Sequence, residues 1–415
     1  MKPIHTMGLV VAALLGVLLL LPSPETPPRN TAGDSAPVSA IVNARLFDGD
    51  EVIEDATILI EQGRIRAAGP GVEVPAGVVP LDAAGKTVLP GLIDAHVHAY
   101  GAARTEALRF GVTTLLDMFR APFDFDVIRE ERDSPAATDR ADLYSAGFLA
   151  TAPGGHGTQY GLAVPTLTGP DQAADWVAAR KSEGSNWIKI VIEPGWGSQR
   201  LPTLDAATVA ALVEAAHAEG LMAVAHVSRL ADARMAVAAG VDGLVHLFGD
   251  EAIDPPLLDA MRAGQVFVVP TLAVMASIYG GSPPDALAEH PVLAPRLGAL
   301  QKQSLAQRFP GAGGDRQAWQ RVLGNVEKLR AAGIPLLAGS DAPNPGTAQG
   351  ISLHRELRLL IEAGLDPLDA LRAATGAAAE VFGLDGRGCL RPGCRADLLI
   401  VDGDPIRDIE ALARL

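Results

Sequence analysis

The chain has 415 residues, 48% hydrophobic and 20% charged, enough for one large domain and a small one. A net charge of −15 and the lack of any basic cluster argue against nucleic acid as a partner, because phosphate binding needs a basic surface. Aromatics are only 4%, so aliphatic side chains must fill the core.

The first feature along the chain is an apolar run from Met7 to Leu21, preceded by Lys2 and followed by Pro22, Pro24, Pro27 and Pro28. It fits a secretory signal segment and is short for a spanning helix. The protein is therefore expected to be exported, periplasmic or secreted; left uncleaved, residues 7–21 would attach it to a membrane. Residues 22–37 read as a linker. Residues 38–89 carry short β patterns at 39–46, 56–60, 64–68 and 86–89, joined by glycine turns.

From residue 90 the pattern alternates strand with helix. Strands are expected at 92–96, 112–117, 142–148, 187–192, 222–227, 243–247, 266–270 and 335–339. Helices are expected at 206–219, 231–239, 257–263, 315–332 and 353–363, with Gly220, Gly240, Gly264, Gly333 and Gly364 as left-handed terminators. Eight strands over roughly 280 residues predict an α/β fold of the TIM-barrel, (β/α)8, type, ahead of a doubly wound open sheet. The 272–314 stretch, broken by prolines and glycines, reads as a helical insertion, either a lid over the barrel mouth or a peripheral decoration. After residue 384 β patterns return at 388–390 and 396–402. Segments 38–89 and 384–415 would then build one small β domain, with barrel residues 90–383 inserted between. Cys389 and Cys394 flank the turn Arg391-Pro392-Gly393 and are either a disulfide or two free thiols. They make a poor metal site, lacking local partners.

Chemistry in such a barrel sits at the C-terminal strand ends. His96 and His98 close the first strand in a His-x-His, whose side chains share a face. Lys189 lies inside the apolar fourth strand. His226, His246 and Asp341 close the fifth, sixth and eighth. Each has a bland alternative: a core histidine, a snorkelling lysine, a capping aspartate. Together they converge on one mouth, and neutral imidazoles suit zinc and its neighbours. Burying a charged lysine in an Ile/Val strand is costly. Carboxylation by carbon dioxide would replace its ammonium with an anionic carbamate able to bridge two cations.

The motifs PGLIDAHVH, IKIVIEPG, VAHV, LVHL, LLAGSDAP and RPGCRADLLIVDGDP resemble those of the amidohydrolase superfamily, over almost all of residues 38–410. That resemblance implies a metal-bearing (β/α)8 barrel and a β-sandwich formed by both chain ends. It also implies the binuclear subtype, with two divalent cations, zinc by default. His96 and His98 would hold one with Asp341, His226 and His246 the other, and carboxylated Lys189 would bridge them. Deaminases of the superfamily place a Glu three residues after a ligand histidine. Here Arg229 and Gly249 stand at those positions, which favours hydrolysis. The stretches ATAPGGHG and HRELRLLIEAGLDPLDALRAAT resemble the branch of imidazolonepropionases and Xaa-Pro dipeptidases.

The implied reaction is cleavage of an amide C–N bond in a small substrate, a dipeptide of Xaa-Pro type or an N-acyl amino acid, rather than endoproteolysis. A hydroxide bridging cations about 3.5–4 Å apart would attack, and Asp341 would shuttle the proton. An esterase, lactonase or phosphotriesterase could use the same centre. His156, in Gly154-Gly155-His156-Gly157, is either the oxyanion donor or a surface-loop histidine. Arg229 is either a substrate-carboxylate ligand or a helix-cap arginine, and Tyr160 is a further substrate-binding candidate. Oligomeric state is left open, a homo-oligomer included.

Overall fold

A computed structural model describes residues 38–134, 136–195, 199–281, 285–309 and 314–415. The apolar segment 7–21 and the linker 22–37 lie outside the described residues. Among the described residues, no helix is long and apolar enough to cross a membrane.

Both halves of the chain contribute to one six-stranded sheet. β1 (Ser39–Phe47), β2 (Val52–Glu61) and β3 (Arg64–Gly69) are antiparallel neighbours. β4 (Leu81–Asp82) and β5 (Lys86–Pro90) run parallel to β1, and the closing strand Leu398–Asp402 pairs antiparallel with β5. Ile41, Leu46, Ile58, Ile65 and Val88 form its buried side. Residues 388–390, expected as a strand, form none; Leu390 donates a hydrogen bond to the Asp48 carbonyl at 2.9 Å. Cys389 and Cys394 are disulfide-bonded, their Cα atoms 6.0 Å apart.

After β5 the chain is mixed α/β. β6 (Leu92–Val97), β7 (Val112–Asp117) and β8 (Asp142–Ser145) form one parallel sheet. β9 (Ile188–Ile192), β10 (Ala223–Val227), β11 (Gly243–Val245) and β12 (Phe267–Val269) form another. Every residue of β9 is buried, lysine included. Strands covered on both faces read as unbroken apolar runs, which is why period 2 is missing there. Between the sheets, Ala150 donates to the Lys189 carbonyl at 2.7 Å and accepts from Val191 at 3.0 Å. The expected eighth strand, 335–339, is not a regular strand. Pro335 has no N–H to give, and the segment meets its neighbours at isolated bridges, Val268 with Leu336 and Val97 with Ala342.

The helices start where sequence chemistry places them. Asp205, Asp254, Asp315 and Asp366 each accept a backbone N–H from the first turn of the helix that follows. Four of the five expected glycine terminators are left-handed. Gly264 is not: it continues the helical conformation at φ −84°, and Gln265 takes the positive φ of 53° instead.

The 272–314 insertion braces a loop from outside. Its helix Ala299–Ala306 receives the Gly346 N–H at Ser304 and gives bonds from Ser304 Oγ and Gln301 Nε2 to the carbonyls of Thr347 and Gln349. The helix Ile351–Glu362 that follows this loop buries His354, whose Nε2 lies 2.9 Å from the Phe110 carbonyl. Burial pushes His354 down to about 4, against 6.5 for an ordinary histidine. With the folded-state value depressed, the neutral form is stabilising above pH 6.5, and that stability is lost as pH falls from 6.5 to 4. His354→Gln is expected to flatten its share of this slope, on the order of 2–3 kcal/mol at pH 4.5, in urea titrations at pH 7.5 and 4.5. An unchanged slope would remove His354 as a source of acid lability.

Candidate metal centre

His96, near the end of β6, is fully buried; His98, one residue past the strand, is partly exposed. Both Nε2 atoms lie close to one oxygen without hydrogen-bond geometry: Asp341 Oδ1 is 3.3 Å from His96 and 3.1 Å from His98. His246 brings Nδ1 to 3.9 Å from Asp341 Oδ2, and its ring centroid is 4.7 Å from that of His96. His226, on β10, meets the His246 ring edge-on, their centroids 4.5 Å apart. His156 reaches in from its loop to 5.1 Å from His226. Thus the five histidines and Asp341 are contiguous. Ligand atoms of His96, His246 and Asp341 all lie within 4.8 Å of one another.

Lys189 is 2% exposed on β9. Burial pulls its ammonium down to about 7, and the nearby Asp341 and Asp117 carboxylates only partly oppose this. His96 and His246 are held well below the usual imidazole range by burial first, and then by the surrounding cationic groups. They are therefore neutral, as a metal ligand must be. His96 Nδ1 and Nε2, His98 Nδ1 and Asp341 Oδ1 are buried without a hydrogen-bond partner. Orphaned buried polar atoms are expensive, and a cation at the centre of the cluster satisfies such donors and acceptors together. The donor set, imidazole plus carboxylate, fits zinc.

The backbone is shaped to the same end. His246 and Asp341 have φ of 69° and 53°, conformations that residues other than glycine adopt sparingly. Gly339 lies so close to β6 that a Cβ there would stand 2.8 Å from the His96 nitrogen. Asp94 locks this seam. Its carboxylate accepts Ser340 N–H at 2.9 Å and Ser340 Oγ–H at 2.6 Å, and burial raises it to about 7.

Tyr160 lies 6.0 Å from His156 and 6.2 Å from Phe119, which in turn is 6.5 Å from His98. Phe119, Leu149 and Val191 form an apolar wall there, with Tyr160 packed on it. Arg229 is half-buried; its guanidinium donates to the Gly195 carbonyl, and its charge only partly offsets the burial that raises Asp232 to about 6. Its described contacts run to that loop rather than to the histidine cluster. It is also the N-cap residue of the helix Leu230–Ala238.

Four polar side chains at the site escaped the reading of the sequence. Glu193 Oε2 lies 3.3 Å from His226 Nε2. Thr271 Oγ1 lies 2.7 Å from His246 Nδ1. Asp117 accepts Ala99 N–H at 2.7 Å and Ser145 Oγ–H at 2.5 Å, and Asp94 acts as described. For Glu193 there was a signal: it directly follows the apolar strand that holds Lys189.

A family model for the amidohydrolase family matches residues 87–414. An imidazolonepropionase of Paracoccus denitrificans (strain Pd 1222) is 28% identical over 379 residues, which cover 85% of this chain and 89% of that one. A structure from Bifidobacterium longum, provisionally assigned as a prolidase, superposes with a TM-score of 0.71 at 26% identity, covering 91% of each chain. A Xaa-Pro dipeptidase with bound methionine has the same fold, with a TM-score of 0.69 at 22% identity over 91% of this chain and 97% of the other.

Gly339→Ala tests the seam. The added methyl meets the Val269 side chain at 2.5 Å and the His96 backbone nitrogen at 2.8 Å; the backbone cannot swing aside, so Asp341 must move relative to His96. Turnover is expected to fall about 10²-fold, as for misplacements near 1 Å, and zinc uptake measured by equilibrium dialysis should fall with it. Wild-type zinc uptake in a folded variant would show that the spacing is not critical.

Proposed function

The chain belongs to the amidohydrolase family and is a hydrolase of carbon–nitrogen bonds; from that premise we propose that it cleaves the amide of a small substrate, a Xaa-Pro-like dipeptide or an N-acyl amino acid. The observation that carries this is the cluster of His96, His98, His226, His246, Lys189 and Asp341, its first, fourth, fifth and sixth members buried, with orphaned donors and acceptors at its centre. The first and second histidines with Asp341 would hold one divalent cation, His226 and His246 a second, zinc in both cases, and Lys189 as a carbamate would join them. When bound, the cations supply Lewis acidity that polarises the scissile carbonyl and makes water nucleophilic near neutral pH. Lys189 is suited to its part because burial leaves much of it as the uncharged amine near pH 7. Only that form adds to carbon dioxide, losing one proton and forming one N–C bond.

Asp341 takes a proton at a carboxylate oxygen and returns it to the leaving nitrogen. His156, which burial next to His226 brings down to about 3, stays neutral and donates a hydrogen bond to the oxygen that gains charge. The Phe119 wall and Tyr160 favour an apolar group beside His98, and Arg229 receives a substrate carboxylate by leaving the Gly195 carbonyl. The same reading takes the two parallel sheets and segment 335–342 as one (β/α)8 barrel spanning residues 90–383. Residues 38–89 and 384–415 are taken as its β-sandwich partner. Backbone hydrogen bonds of Ala150 with Lys189 and Val191, of Val268 with Pro335 and Leu337, and of Ala95 with Ala338 support the first, the six-stranded sheet the second. The Cys389–Cys394 disulfide supports export to an oxidising compartment.

The zinc-loaded enzyme should turn over members of a Xaa-Pro and N-acyl amino acid library. Turnover confined to esters, lactones or phosphotriesters would overturn the amide assignment. Lys189→Ala is expected to bind at most one equivalent of zinc by elemental analysis and to lose turnover by 10²-fold or more, on the order seen when a transition-state stabiliser is removed. Two equivalents in that variant would end the bridging role.

A further inference from the structure

The helix Leu272–Tyr279 starts at Thr271, a residue type that ordinarily caps a helix with its own hydroxyl. Here it does not. Thr271 has φ 49° and ψ 47°, makes no side-chain cap bond, and turns its hydroxyl to His246 Nδ1 at 2.7 Å. The vacant capping role is filled from another helix. Glu356, on Ile351–Glu362, accepts the Ala273 N–H at 2.7 Å through Oε2. Its neighbour Arg355 donates to the Ala273 carbonyl at 3.2 Å and to Ser277 Oγ at 3.4 Å, so the first turn is gripped at both its donors and its acceptors. Glu356 is fully buried, as are Thr271 and Ala273.

We propose that Glu356 is a positioning residue: by capping Leu272–Tyr279 in place of Thr271, it frees the Thr271 hydroxyl to fix the His246 imidazole. Nδ1–H of His246 then donates to Thr271, which leaves Nε2 as the basic nitrogen available to a cation. Both Thr271 and His246 hold a left-handed backbone, at φ 49° and 69°, which a residue other than glycine keeps only where its surroundings over-determine it. The motif that holds Glu356, His354-Arg355-Glu356-Leu357, thereby acquires a role at the site without reaching it. This inference rests on the reading of His246 as a metal ligand.

The test uses the full chain, metal-free and zinc-loaded. In the metal-free wild type, nitrogen-15 NMR of the histidine rings should show His246 as the Nδ1–H tautomer. Thr271→Val should lose that signature and bind zinc about 10–100-fold more weakly in competition with a chromophoric chelator, the usual effect of losing an outer hydrogen bond to a ligand. Glu356→Asp, one methylene too short to reach Ala273, should follow Thr271→Val. Glu356→Gln, which keeps an acceptor at the same reach, should stay within about threefold of wild type, and the Thr271/Glu356 double variant should be no weaker than the worse single one. A folded Glu356→Asp with wild-type tautomer and affinity, or a Glu356→Gln as weak as the Asp variant, overturns the proposal. If Glu356→Asp does not fold, Thr271→Val decides alone: wild-type tautomer and zinc affinity there overturn it. A wild type that binds no zinc yet shows the tautomer would instead refute the metal reading and leave the positioning intact.

Discussion

The site depends on a seam between two segments that are far apart in the chain. Ala95 donates to the Ala338 carbonyl, Asp341 to that of His96, and His98 to that of Ala342, at 2.7–2.9 Å. Asp94 and Ser340, which clasp each other across it, are 246 residues apart. The seam sets the distance between Asp341 and the histidine pair, and through it the electrostatics of everything nearby. Closing a connection that long costs entropy before any contact repays it. The repayment comes from buried hydrogen bonds, whose loss would leave backbone groups and the Asp94 carboxylate unpaired in the interior. The approach is so close that only glycine fits at 339, between Val269 and His96.

Around this seam the molecule is built in supporting shells. The insertion helix Ala299–Ala306 holds the loop after Asp341, and Gln349 on that loop donates to the His98 and Ala342 carbonyls. Those contacts make this helix of the insertion a brace for the loop. Glu193 and Thr271 do for His226 and His246 what the seam does for Asp341. They fix ring orientation with one hydrogen bond each.

Much of the scaffold was legible because burial writes itself into periodicity. The strands from β6 to β12 fall where the apolar runs predicted them, and their polar terminal residues stood out against those runs. Lys189 was conspicuous for the same reason. What stayed hidden was every partner defined by a tertiary contact. Thr271 reads as an ordinary helix cap, and Glu356 as one more acid in a helix rich in charges. Nothing local says that one has taken the other's job. The irregular 335–339 segment was misread as a strand because its apolar residues match the pattern, while its ladder bonds are made one at a time. Arg229 shows the converse: its residue type invited a substrate role, and the structure places it first against Gly195.

The six-stranded sheet has a consequence for biogenesis. β5 is flanked by β1 on one side and, on the other, by a strand that emerges from the ribosome about 300 residues later. Until then Lys86–Pro90 presents an unpaired edge, the kind of surface that recruits foreign strands. Chains cut short before residue 398 would keep that edge for life. C-terminal truncations are therefore poised to aggregate even when every residue of the metal cluster is present, and the tail works as a quality seal on a completed polypeptide.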